Sequence, residues 1–139
     1  MPNPKNRVII DTNLWISFLL TKNFFIFDLA AQGMLDLISC DELTDEFIRV
    51  AARSKFRKYF SLERVEELIF QLTGTVIPVE LKSTVSICRD NKDNFLLAFA
   101  LDGNATHLIT GDKDLLVLEK FHDTEILTLT AYLNNLKQA

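Results

Sequence analysis

The sequence predicts an α/β fold, a single-domain α/β/α sandwich around a five-stranded, mainly parallel sheet. Short apolar runs alternate with segments of helical periodicity, and no hairpin turn joins one apolar run to the next. The chain has 139 residues, 48% of them hydrophobic, which is enough for one core. No repeat, low-complexity tract or flexible linker divides it. We therefore expect one domain over residues 1–139.

Five short runs rich in apolar and β-branched residues are predicted as strands. They are residues 7–11, 35–39, 75–79, 107–110 and 125–128. The first run is continuously apolar before Asp11, as is typical of a parallel strand that is buried on both faces. The third is the weakest, because Pro78 lacks the N–H that a central strand needs.

The segments between the strands show helical periodicity. They are residues 14–20, 24–33, 41–53, 61–73, 93–101, 112–120 and 131–137. Asn13 or Thr12 can cap the first helix, Gly33 can end the second, and Ser61 can cap the fourth. The helix at 93–101 is strongly apolar, so we expect it to be buried.

Composition restricts the class of protein. Residues 1–7 are polar and lack the apolar core of a signal peptide. The apolar run 8–20 is interrupted by two polar residues and is shorter than the roughly 20 residues that span a bilayer. The two cysteines fit neither a metal spacing nor a disulfide framework. We expect a cytoplasmic protein without a membrane segment.

Acidic residues stand where two of the predicted strands end. Asp11 ends the first strand, and Asp112 and Asp114 follow the fourth strand after Gly111, which lets the backbone turn sharply. Parallel sheets place their sites outside the carboxyl ends of their strands. We therefore expect both acidic groups at the same edge of the sheet.

Acidic residues on two helices can reach this edge as well. Asp93 begins the buried helix before the fourth strand, with Asp90 three residues earlier, and Glu46 lies in the first turns of the helix after the second strand. Clustered carboxylates repel one another unless a cation is present. Oxygen ligands suit Mg²⁺ or Mn²⁺ better than Zn²⁺, and one or two such ions can activate a water beside a phosphate.

Each acidic residue also has a structural explanation. Asp11 and Asp112 can cap the helices that follow them, and Asp90 and Asp93 can form a cap pair. Glu46 can be an ordinary solvated helix residue. Each of these explanations concerns a single residue and requires nothing of the others, whereas a metal site requires all the acidic side chains to lie close together.

The acidic segments together resemble the motifs of the PIN domain family. The segments are IIDTN at 9–13, TDEFIRV at 44–50 followed by RSKF at 53–56, DNKDN at 90–94, and LITGDKDLL at 108–116. The resemblance spans about positions 7 to 130. It implies adjacent first and fourth strands and Mg²⁺- or Mn²⁺-dependent hydrolysis of phosphodiester bonds, with RNA as the expected substrate.

The resemblance also implies roles for individual residues. The catalytic set is Asp11, Glu46, Asp93 and Asp112. All of these except Glu46 would hold the metal directly, and Glu46 would bind metal or orient the water. The supporting positions are Asn13, Thr110, Asp90 and Asp114, of which the last two vary within the family.

The last segment has the form seen in VapC-like toxins of toxin–antitoxin pairs. The implied activity is that of an endoribonuclease that leaves a 5′-phosphate and a 3′-hydroxyl. The implied partner is a small antitoxin protein that masks the site. Dimerisation is common in the family, so a homodimer is also compatible with the sequence.

The net charge of −4 by itself argues against a nucleic-acid partner, but the basic residues are unevenly distributed. Arg49 and Arg53 follow Glu46 along one side of a predicted helix. We hypothesise that these two arginines hold RNA phosphates beside the metal. Further basic residues would extend the track: Lys55, Arg57 and Lys58. The alternative is that Arg49 pairs with Glu46 or Asp45 and that the rest is a solvated helix end.

Two other functions are compatible with the sequence. A non-catalytic PIN-like module would bind RNA or a protein partner, and metal would stabilise it without any cleavage. A small phosphatase or receiver-like domain would use Asp11 as a nucleophile, with Thr110 on a later strand. The acidic pair that receivers place near the first strand is missing, which disfavours the last function.

Overall fold

A computed structural model of the protein describes residues 5–138. Residues 1–4, which begin the polar N-terminal segment, lie outside the described residues. Residue 139, at the end of the expected domain, also lies outside them. Among the described residues, no single helix is long and apolar enough to cross a membrane. The helices Thr12–Thr21 and Phe25–Ala31 reach that length and apolar content only as a pair, which is bent by 105°.

Strands and helices alternate as the sequence predicts. The strands are β1 Arg7–Ile10, β2 Asp36–Ser39, β3 Ile77–Pro78, β4 His107–Ile109, β5 Lys120–Phe121 and β6 Thr124–Leu127. The helices are α1 Thr12–Thr21, α2 Phe25–Ala31, α3 Asp41–Ala51, α4 Leu62–Thr73, α5 Asn91–Asp102, α6 Lys113–Leu116 and α7 Leu129–Gln138.

One sheet joins the strands in the order β3-β2-β1-β4-β6-β5. All its neighbouring strands are parallel except β5 and β6. The predicted α/β fold with a mainly parallel sheet is therefore confirmed. β1 pairs with β4, with Ile10 opposite Ile109, and the strand order changes direction at this pair. Open parallel sheets form their sites at such a point.

The sheet is covered on both faces. Val8 and Ile10 of β1 pack in one core, with Trp15 of α1 and Leu68 of α4. Ile9 packs in the other core, with residues of α5 and α6. Because neighbouring side chains of a strand point to opposite faces, β1 supplies both cores, and this explains its continuous apolar run.

A hairpin of β5 and β6 at the edge of the sheet corrects the predicted number of strands from five to six. The segment expected to be a helix over 112–120 is helical only at Lys113–Leu116, and it then forms β5, a sixth strand that pairs antiparallel with β6. The connection contains His122, whose φ is 53°. A strand of two residues has too short an apolar pattern to be distinguished from a helix end.

Helix ends follow the predictions in part. Ser61 caps α4 by accepting a hydrogen bond from the N–H of Arg64 at 3.1 Å, and Gly33, with φ 80°, follows the end of α2. The first helix begins at Thr12, so neither Asn13 nor Thr12 is its cap residue. Asp11 takes that position, directly after β1.

Candidate functional site

Asp11 lies at the carboxyl end of β1 and is 3% exposed. It occupies the N-cap position of α1, but its side chain makes no hydrogen bond to the backbone of that helix. Its Oδ2 accepts a hydrogen bond of 2.8 Å from the hydroxyl of Thr110. Its Oδ1 is buried and has no hydrogen-bond partner among residues 5–138. A buried oxygen without a donor is costly unless a cation completes it, so a capping role does not account for Asp11.

Thr110 links the ends of the two central strands. It follows β4 and is 1% exposed. Its hydroxyl donates to Asp11 and accepts a hydrogen bond of 3.0 Å from the backbone N–H of Asp112. One side chain therefore fixes Asp11 relative to the loop that carries Asp112.

Asp93, Asp112 and Asp114 form a carboxylate cluster, with one ligand oxygen from each lying within 4.8 Å of the others. Asp93 is in the first turn of α5 and is 2% exposed, whereas Asp114 is on the surface. Burial, a hydrogen bond with Asp112, and the charges of Asp112, Asp90 and Asp11 raise the pKa of Asp93 to about 7. This cluster therefore carries more negative charge than the protein around it compensates.

Glu46 reaches the same edge from α3 but makes different contacts. Its Oε1 lies 3.0 Å from Nζ of Lys92, and its Oε2 accepts a hydrogen bond of 3.3 Å from the hydroxyl of Thr12. Burial acts to lower the pKa of Lys92, but the hydrogen bond to Glu46 and the charges of Asp11 and Asp90 outweigh it, so the pKa is raised. Lys92 is therefore a stable positive charge next to the acidic residues.

Two of the acids act as helix caps, as their structural explanation required. Asp90 caps α5 by accepting a hydrogen bond of 2.9 Å from the N–H of Lys92. Asp112 caps α6 through the N–H of Asp114, also at 2.9 Å, and it belongs to the carboxylate cluster as well. Asn13 is exposed on α1, and its side chain makes no hydrogen bond to an acid in the part of the chain that the structure describes.

The structure adds residues that sequence reasoning missed. Lys92 binds Glu46, and the exposed Arg89 lies 3.5 Å from Asp114. Asn94 is buried, and its side chain hydrogen-bonds the backbone of Ile87 and Cys88, which holds the segment before α5. An asparagine in an apolar helix was the available signal for this anchor, since a buried amide needs partners. The pairing of Lys92 had no comparable signal.

The basic residues near α3 divide into two groups. Arg49 is exposed and lines a cleft between α3 and α5 together with Glu46 and Lys92. Arg53 is exposed just after α3. Arg57 is half-buried and donates a hydrogen bond to the backbone carbonyl of Ala51. Its guanidinium therefore serves the fold, and the hypothesised basic track does not include it.

The donor set fits a hard divalent cation. The clustered ligands are carboxylates, which Mg²⁺ and Mn²⁺ prefer. The unpartnered Oδ1 of Asp11 and the raised pKa of Asp93 both indicate missing positive charge. Asp93 and Asp112, with Asp114, have oxygens close enough together to share such an ion. Asp11 is not part of that group, but Thr110 connects it to the loop of Asp112, and its charge acts on Asp93.

Comparison with known proteins identifies relatives of this chain. A family model described as PIN domain matches residues 7–114, from the first residue of β1 to the last carboxylate of the cluster. The uncharacterized protein MJ1680 of Methanocaldococcus jannaschii is 30% identical over 122 residues, which cover 85% of this chain and 78% of that protein.

Proposed function

Because the chain belongs to the PIN domain family, whose members are generally nucleases that use divalent metals, we propose that it is a Mg²⁺- or Mn²⁺-dependent endoribonuclease. One observation carries the proposal. Asp11, Asp93 and Asp112 come from separate segments to one edge of the sheet, where Asp11 has a buried, unpartnered oxygen and Asp93 has a pKa of about 7. A fold that needed these residues only as caps would not leave such charge uncompensated.

The acidic residues have two roles in the proposed reaction. Asp11, Asp93 and Asp112 would hold the ion, which when bound would supply an activated water and neutralise charge at the scissile phosphate. Asp93 must lose the proton that its raised pKa lets it hold near neutral pH. Glu46, fixed through both its oxygens, orients the attacking water. The products carry a 5′-phosphate and a 3′-hydroxyl.

Substrate binding is assigned to the cleft and the adjoining basic residues. Arg49 shares the cleft with Glu46, so a phosphate held by Arg49 would lie near the acids. Arg53 is on the surface just beyond α3 and would hold the next phosphate of the bound RNA chain. Asn13 and Asp114 are exposed near the acidic edge and would support the site.

Purified protein incubated with structured and unstructured RNAs tests the activity. We expect cleavage that needs Mg²⁺ or Mn²⁺, stops with EDTA, and is lost in Asp11→Asn and Asp93→Asn. Asp45→Asn is the matched control, because it removes an exposed carboxylate from the helix that carries Glu46. Cleavage without metal, or cleavage retained by both site variants, would overturn the proposal. A DNA oligonucleotide of the same sequence distinguishes the two substrates.

The toxin role is a narrower proposal. We propose that the chain is the toxin of a toxin–antitoxin pair, masked by a small antitoxin, because its fourth acidic segment has the form seen in VapC-like toxins. Induced expression should then arrest growth, whereas the Asp11→Asn protein should be harmless at the same level. Harmless expression of a protein that cleaves RNA in vitro would point to RNA processing instead. We also propose a cytoplasmic single domain over residues 1–139, as a monomer or homodimer.

A non-catalytic module that binds RNA or a protein partner is the second candidate. The ion pairs of Arg89 with Asp114 and of Lys92 with Glu46 favour it, because they supply part of the missing positive charge without a metal. In that case Mn²⁺ raises the melting temperature and RNA binds, but the RNA stays intact. The cleavage assay above separates the two functions.

A further inference from the structure

Glu46 differs from the other acids of the site in having both carboxylate oxygens engaged. Lys92 lies at 3.0 Å from one oxygen, and the hydroxyl of Thr12 donates to the other at 3.3 Å. Asp11, by contrast, has one oxygen bound to Thr110 and the other buried without a partner among the described residues. Asp11 therefore has an oxygen free to bind a cation, whereas at Glu46 a cation would compete with the ammonium group of Lys92.

The Lys92–Glu46 pair is also more shielded than an ordinary surface ion pair. The side chain of Glu46 is 15% exposed and that of Lys92 is 35% exposed. Lys92 also interacts with the charges of Asp11 and Asp90. Partial burial strengthens charge interactions, so a divalent cation would have to displace a well-held ammonium group to reach Glu46.

We propose that Lys92 is a positioning residue that takes the place of a second metal ion: it holds Glu46, and it limits the site to one divalent cation bound by Asp11, Asp93 and Asp112. This inference rests on the proposed function, because it presumes that the site binds a metal. It assigns Glu46 to orienting the water. Arg89 is not equivalent, because its pair with Asp114 is on the surface, where the two side chains are 90% and 60% exposed.

Replacing Lys92 should open a second cation site. In Lys92→Met the carboxylates of Glu46 and Asp11 lose the nearby ammonium, and a second hard cation can neutralise them. Lys92→Arg keeps a positive charge within reach of Glu46 and should behave as the wild type does. Lys92 is partly exposed, so neither substitution creates a cavity in the core.

Isothermal titration with Mn²⁺ measures the stoichiometry directly. We expect one ion per chain for the wild type and Lys92→Arg, and two for Lys92→Met. Arg89→Met is the matched control: it removes a positive charge from the same edge without freeing Glu46, and it should still bind one ion. Glu46→Gln in the Lys92→Met background should return the count to one.

The outcomes separate this inference from the proposed function. Two ions in the wild type, one ion in Lys92→Met, or two ions in Arg89→Met would overturn the role of Lys92 while leaving a metal-dependent nuclease intact. If the wild type binds no Mn²⁺ at all, the proposed function fails first and this inference fails with it. EPR spectra of the bound Mn²⁺ give a second readout, because a pair of neighbouring ions has a different spectrum from a single ion.

Discussion

Replacing Asp93 with asparagine removes a charge from the buried site and leaves the side-chain shape nearly unchanged. In the metal-free protein, burial and the neighbouring acids raise the pKa of Asp93 to about 7, whereas the unfolded chain retains the usual value near 3.8. The stability that Asp93 contributes is therefore fully present below about pH 4, and it is lost as the pH rises through about 7. An asparagine does not titrate, and its amide can still donate a hydrogen bond to Asp112.

The size of the effect follows from the two pKa values. A rise from 3.8 to about 7 corresponds to roughly 4 kcal/mol in the free energy of unfolding once both states are ionised. Because the charges of neighbouring carboxylates contribute to the raised pKa of Asp93, this figure is an upper bound. Between pH 5 and pH 8 the stability of Asp93→Asn relative to the wild type should increase by roughly 2–3 kcal/mol.

Urea unfolding followed by circular dichroism, in EDTA at several pH values, measures this difference. Burial lowers the pKa of His107, but this residue is present in both proteins, so its contribution cancels in the comparison. Asp45→Asn controls for the loss of an exposed carboxylate. A stability difference that stays constant with pH, or that falls as the pH rises, would refute the electrostatic account of the site. Mn²⁺ at 100 times its Kd should add about 2.7 kcal/mol to the wild type and nothing to Asp93→Asn.

Three further substitutions test individual contacts. Thr110→Val removes the hydrogen bonds of the Thr110 hydroxyl with Asp11 and with the N–H of Asp112. It should lower the free energy of unfolding by about 1–3 kcal/mol and weaken Mn²⁺ binding in calorimetry. Thr110→Ser keeps the hydroxyl, so it should retain both the stability and the Mn²⁺ affinity. Gly103→Ala places a Cβ 2.6 Å from Cδ1 of Ile38, the movable end of a side chain, and 3.2 Å from the backbone carbonyl oxygen of Phe99. It should cost about 1 kcal/mol in urea unfolding, and a gain in stability would contradict the tight contact with this oxygen. Ser61→Ala removes the cap of α4 and should lower the free energy of unfolding by about 1 kcal/mol, while RNA cleavage stays at the wild-type rate. A loss of cleavage by the folded variant would contradict a purely structural role.

The sequence was informative wherever the signal is local. Val8, Ile9 and Ile10 form a continuous apolar run because both faces of β1 are covered, and this run predicted a buried parallel strand. Ser61 predicted the start of α4 through its capping chemistry. The rule that sites form at the carboxyl ends of parallel strands predicts Asp11 and Asp112 as site residues from the sequence.

The sequence was less informative where a short segment depends on its neighbours. The sequence predicts β6 but not β5: the segment 112–120, which leads into β5, is predicted as a helix, because two residues of strand carry no period of their own. The sequence predicts Arg57 as part of the basic surface, but its guanidinium turns inward and donates to the backbone carbonyl of Ala51. The long aliphatic part of an arginine can be buried while its charged group either reaches solvent or bonds to the backbone, and the sequence position does not reveal which of the two occurs.

By itself, the sequence determined most of the strands and helices and which acids stand at strand ends, because periodicity and strand termini are properties of neighbouring residues. Only the tertiary structure decided how the charges are paired. Thr110 meets Asp11 across 99 residues of chain, and Lys92 rather than an arginine of α3 neutralises Glu46. Electrostatic interactions depend on distances of a few ångströms between side chains, and in this protein the packing of α3 and α5 against the sheet sets those distances.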